Sequence, residues 1–95
     1  MSVVVILEAL AKNGLRLEIK ELLSSLLPDT RKQEGCSYID VYYDTSDDSK
    51  VILIEHWDTL QQYKKYRIWR IKSGVMEKFD SLIEKSPSVR ILQLA

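Results

Sequence analysis

Glu55 and His56, neighbours in the sequence, are the residues best suited to move a proton. His56 is the single histidine, and an unperturbed imidazole changes charge near pH ~6.5, so it is a candidate base. Glu55 interrupts the apolar run V-I-L-I-E-H-W; burial there would raise its pKa and make it a second candidate. The plainer alternatives are a structural hydrogen bond for His56 and an interface hydrogen bond or ion pair for Glu55. Strand alternation sets Glu55 beside Leu53 and Trp57, and His56 on the opposite face with Ile54, so the two are not expected to act as a pair. Trp57 closes the strand, where it can wall a pocket or pack in the core. Tyr63, Tyr66 and Trp69 follow at three-residue spacing; on a helix they drift along one face and either line a cavity or fill the core.

Other polar features read as ordinary surface. Lys64, Lys65, Arg67, Arg70 and Lys72 cluster among those aromatics. However, 14 basic residues balance 14 acidic ones over 95 residues, which favours a solvated helix face over a phosphate-binding patch and argues against nucleic acid as a partner. Asp44, Asp47 and Asp48 miss the spacing of a calcium loop. A single cysteine, Cys36, excludes an intrachain disulfide and reads as a small core residue. No apolar stretch approaches the ~20 residues of a membrane span, and the first apolar run is too short for a signal peptide, so a cytoplasmic domain without a membrane partner is expected.

These residues need a scaffold. Ser2 to Leu10 is β-branched and apolar at nearly every position, as in a strand buried on both faces. After an Asn13-Gly14 turn, Leu15, Ile19, Leu22, Leu23 and Leu26 recur at helical spacing; Pro28 should kink or interrupt that helix, and Gly35 looks like its C-cap. Cys36 to Tyr43 alternates, with Ile39 and Val41 on one face and Tyr38, Asp40 and Tyr42 on the other. A polar loop leads to the strand Val51 to Trp57. Asp58-Thr59 caps a second helix, with Gln61 three residues beyond Asp58. A last helix carries Val75, Met76, Phe79, Leu82 and Ile83, and Ser88 to Leu94 is a final strand.

The order β-α-β-β-α-(α)-β is the ferredoxin-like α+β pattern, one domain over residues 1–95 with a four-stranded antiparallel sheet and helices on one face. Its central strands carry apolar side chains on both faces, at Val3, Val5 and Leu7 as well as Val4 and Ile6, and the hairpin adds Tyr38, Tyr42, Leu53 and Trp57. Helices shelter only one face. Covering about 500 Å² of the other is worth roughly 12 kcal/mol per protomer before association costs, which predicts a homodimer packed sheet to sheet.

T-R-K-Q-E-G-C-S-Y at Thr30–Tyr38, V-I-L-I-E-H-W-D-T at Val51–Thr59 and the P-x-V-x-I-L segment from Pro87 together resemble the antibiotic biosynthesis monooxygenase family. The resemblance implies a dimeric α+β barrel and a cofactor-independent monooxygenase acting on a small phenolic, quinol or anthrone-like molecule. A non-catalytic barrel binding a small hydrophobic ligand or a protein is the alternative. Under this resemblance His56, Tyr66 and Glu55 are the catalytic candidates, and Trp57, Tyr63 and Trp69 the substrate-binding ones. Typical members carry a histidine in an L-x-x-H segment; the matching stretch here is Y-K-K-Y, and Tyr66 takes that place. No histidine follows position 56, so the proximal ligand of the haem-degrading branch is missing.

Overall fold

In a computed structural model, residues 2–95 are described. Three apolar strands and one exposed strand form a single antiparallel sheet: β1 (Val3–Leu10), β2 (Cys36–Tyr43), β3 (Lys50–Trp57) and β4 (Ser88–Gln93), in the order β2-β3-β1-β4. The most apolar strands therefore hold the centre, as the pattern predicted. Val5 faces Glu55 across the β1–β3 ladder, and Ile6 faces Ile54. Helices α1 (Arg16–Arg31), α2 (Leu60–Lys72) and α3 (Val75–Ser81) complete the fold.

Side chains at Val3, Val5, Leu7 and Ala9 of β1 are buried, as are Val51, Leu53, Glu55 and Trp57 of β3; this is the helix side. Alternate residues, Val4, Ile6, Ile52 and Ile54, project from the other side. Tyr38 and Tyr42 join them there, both more than a third exposed, with the strand's Asp40 between. Of the hairpin residues expected to widen the apolar outer face, Leu53 and Trp57 instead belong to the helix side, and the two tyrosines to the open one. Ile39, Val41 and Tyr43 point toward α1 with the main core.

That core is two clusters. One gathers Leu7, Ile19, Leu23, Leu27, Ile39, Val51, Leu53, Phe79 and Ile83. The other gathers Val3, Val5, Trp57 and Tyr63, with Tyr66 against it. On β3 the division falls between Leu53 and Trp57, at Glu55.

Two local expectations are corrected. Pro28 lies inside α1, which continues to Arg31. Its missing N–H releases only the carbonyl of Ser24, an exposed residue, so the last turn survives. Gly35 is not the C-cap, which is Lys32. Gly35 sits at φ +91°, and its carbonyl accepts the Asp58 N–H at 2.8 Å, tying the start of β2 to the end of β3. A Cβ there would come within 2.9 Å of Gln62 Cβ and closer still to that side chain's amide. Gly35→Ala should therefore cost about 2–3 kcal/mol from backbone strain and overlap, read as a lower urea midpoint at unchanged m-value. An unchanged midpoint would show that the turn relaxes freely. At α2 the cap within the expected Asp58-Thr59 pair is Thr59, whose hydroxyl accepts the Gln62 N–H at 3.2 Å.

Candidate functional site

β3 delivers Glu55 to the helix side because its position has the same parity as Leu53 and Trp57. The carboxyl is 5% exposed. Its Oε1 accepts the Trp57 indole N–H at 3.0 Å. The E-x-W spacing is thus a hydrogen-bonded unit on one strand face. Burial pushes the Glu55 pKa above the usual carboxylate range; the Trp57 hydrogen bond and the Arg67 charge oppose the rise without cancelling it.

Above Glu55 lies a cavity of about 60 Å³ between sheet and helices. Leu7, Leu53 and Ile39 form its floor, Leu23, Leu26 and Thr30 of α1 one wall, and Tyr63, Tyr66, Arg67 and Arg70 of α2 another. Val75, Met76 and Phe79 of α3 close it. Such a space holds about two waters; apolar cavities that accept benzene are nearer ~150 Å³. An aromatic ring enters only if α3 or the flexible Met76 gives way.

Arg70 organises the α1–α2 wall. It is 4% exposed. Its Nη2 donates to the Leu26 carbonyl and to Thr30 Oγ1, both at 2.9 Å, and its Nε donates to the Tyr66 hydroxyl at 3.1 Å. Thr30 Oγ1 in turn donates to the Leu26 carbonyl at 3.3 Å, which leaves the Tyr66 hydroxyl to donate to Thr30 at 2.8 Å. The negative end of the α1 dipole falls on this guanidinium and holds it without a carboxylate. Tyr66 also stacks on Trp57, ring centroids 4.9 Å apart.

Of the sequence candidates, Glu55, Tyr63 and Tyr66 meet at the cavity. Trp57 supports Glu55 from beneath, fully buried. Trp69 is outside the cavity lining, 41% exposed, and lies over Arg70 at 4.4 Å from its ring centre. His56 is on the opposite sheet face, exposed, edge-on to Tyr38 at 5.3 Å between centroids, and cannot touch a molecule held over Glu55. Sequence reasoning missed Thr30 and Arg70. Balanced charge favours a solvated basic face for Arg70, yet it sits four residues after Tyr66 and seven after Tyr63, on their side of α2. The compensating sign is outward: Ile68 and Ile71, apolar by type, are each 55% exposed. Among the described residues no three His, Cys, Asp or Glu side chains converge as a metal site, and no helix is long and apolar enough to cross a membrane.

A ferredoxin-like α+β domain with a small apolar cavity, entered by one buried carboxyl and two guanidinium groups, is the class that fold and site define. The sequence matches the antibiotic biosynthesis monooxygenase family over residues 2–68, and the chain belongs to that family. A search of curated proteins found no match. Among solved structures, a conserved protein from Methanosarcina mazei Go1 superposes with a TM-score of 0.91 at 18% identity, covering 98% of this chain and 92% of that one. Rv0793 from Mycobacterium tuberculosis gives 0.90 at 19% identity, covering 100% and 96%. SnoaB, a cofactor-independent oxygenase from Streptomyces nogalater, gives 0.86 at 10% identity, covering 98% and 92%. At these identities the likeness is one of fold.

Proposed function

We propose that this chain is a cofactor-independent monooxygenase of a small phenolic, quinol or anthrone-like molecule, with its chemistry at Glu55, and that it works as a homodimer joined through the open sheet face. The observation that carries the reading is a buried carboxyl, oriented by an indole N–H, set in an otherwise apolar stretch of cavity floor walled by Tyr63 and Tyr66. A raised carboxyl pKa suits proton removal from a weakly acidic O–H or C–H group. Membership of a family named for monooxygenases, and a similar structure described as a cofactor-independent oxygenase, support the reaction class.

For an anthrone-like CH₂ the steps balance without another reductant. Glu55 takes a proton. The carbanion passes one electron to O₂, and the resulting carbon radical and superoxide join in a C–O bond. Glu55 returns the proton to the peroxide. Loss of the remaining C–H proton with hydroxide breaks the O–O bond and leaves a ketone and water. All electrons come from the substrate. Apolar surroundings favour the early anion's electron transfer by excluding competing protons. His56, across the sheet, has no part in these steps.

Oxygen uptake with anthrone and 1,4-naphthohydroquinone tests this. The expected result is uptake above autoxidation, with one ¹⁸O from labelled O₂ in the product. Ligand binding without uptake would favour the non-catalytic barrel. That second reading draws on the Tyr66 hydroxyl, whose donor and acceptor capacity is already engaged by Thr30 and Arg70.

A further inference from the structure

The cavity carries more positive than negative charge. Arg67 and Arg70 both line it, and the ion pairs among the described residues, Arg16–Asp48 and Arg31–Asp40, include neither. Arg70 is the sharper case: its surroundings are two hydroxyls, one carbonyl and the rings of Tyr66 and Trp69, with no carboxylate in ion-pair range. Buried charges are normally neutralised by a partner, because an isolated one costs several kcal/mol. The α1 terminus offsets part of that cost with partial charges only. Arg67 is half-buried, with one weak contact of 3.5 Å to the Tyr63 hydroxyl, and it also borders an outer groove lined by Glu77, Asp80, Pro87 and Val89, with neither carboxylate in ion-pair range of it. It therefore stands between outside and inside. Glu55 shares the cavity and its charge is felt by Arg67, but its carboxyl oxygen is engaged by the Trp57 indole, it is in ion-pair range of neither guanidinium, and one carboxyl leaves a positive charge in excess.

We infer that the cavity recognises ligands bearing an anionic oxygen, a carboxylate or an already ionised phenol, on an apolar aromatic skeleton, with Arg67 meeting the anion and Arg70 supplying the charge behind it. This rests on the Glu55 cavity being the ligand site and deepens that reading by naming the substrate's charge. A guanidinium pair favours a carboxylate over an uncharged amide of the same shape.

Titration of the tryptophan fluorescence with 1-hydroxy-2-naphthoate and with 1-hydroxy-2-naphthamide tests it, with 2-naphthol and its more acidic 6-cyano derivative at pH 9 as the phenolate arm. The naphthoate should bind about tenfold or more tightly than the amide, and Arg67→Gln should shrink that gap to about threefold or less. Arg70→Gln, if circular dichroism reports a native fold, should shrink it likewise; if it does not fold, the Arg67 comparison decides. A gain on ionisation in the phenol arm alone would assign the anion to a phenolate and supports the inference. Equal affinities throughout, absence of binding by all four probes, or a gap undiminished in Arg67→Gln would overturn it. Oxygen uptake is scored separately: a charge preference without uptake defeats the monooxygenase and leaves this inference standing, and uptake without preference does the reverse.

Discussion

Glu55→Gln should lower oxygenation turnover by about 100-fold or more, the range expected when a positioned general base is lost. The replacement keeps the shape and keeps a carbonyl oxygen for the Trp57 indole N–H, so the loss is read on the proton and not on the packing. The pH dependence separates the two further. Wild-type turnover should rise with pH through the elevated Glu55 pKa, because the unprotonated carboxylate is the active form; the variant should lack that limb. Stability runs in the opposite sense. The folded chain holds this proton to higher pH than the unfolded chain does. The associated stability is complete below the ordinary carboxylate range and is lost as pH rises through the folded-state value. At pH 8 the wild type carries that loss and the glutamine variant does not, so the variant's urea midpoint should be no lower. Wild-type turnover in Glu55→Gln would remove the carboxyl from the reaction.

Ile54→Lys should convert a homodimer into monomers. Ile54 lies on a central strand opposite Ile6, on the side no helix covers, among Val4, Ile52 and the two tyrosines of β2. If a second copy packs on this face, two-fold symmetry brings in two desolvated lysines per dimer, and Asp40, the cross-strand neighbour of Ile54, is already paired with Arg31. Weakening of the dimer by about 10³-fold is expected. Light scattering after gel filtration at ~10 μM should give twice the 11.1 kDa chain mass for the wild type and the single chain mass for the variant. A monomeric wild type at that concentration would sink the sheet-to-sheet arrangement. Because the changed side chain points away from Glu55, any accompanying loss of turnover would report on assembly and not on the site.

How much of this was legible in the sequence follows from which interactions are periodic. Strand faces were, since parity alone separates Glu55 from His56 and Val5 from Ile6, and the placement of β1 and β3 at the centre followed from their apolar runs. The helices' existence was legible too. Their ends were less so: α1 passes Pro28 because a proline near a C-terminus forfeits one exposed bond, and the α2 cap is chosen by Thr59 geometry that Asp58 could equally have offered. Gly35 resembles a helix terminator because a positive φ serves many turns; its φ of +91° and the crossing of Gln62 over it, both fixed by the fold, explain the absence of a side chain. The cavity was the least legible feature. Arg70 is charged by type, and its burial depends on a carbonyl and a hydroxyl contributed 40 or more residues earlier. No local pattern encodes such a partner.

All six residues of β4 are exposed, so this strand is held to β1 chiefly by its backbone ladder. Peeling it away would sacrifice only the partial cover of Val89, Ile91 and Leu92, yet it would turn β1, the chain's most hydrophobic strand, into a bare edge. A bare, flat, β-branched edge is a template on which further chains can add as strands. The fold's safeguard against aggregation is therefore a strand with no fully buried side chain, and whatever clasps β4 also guards that edge.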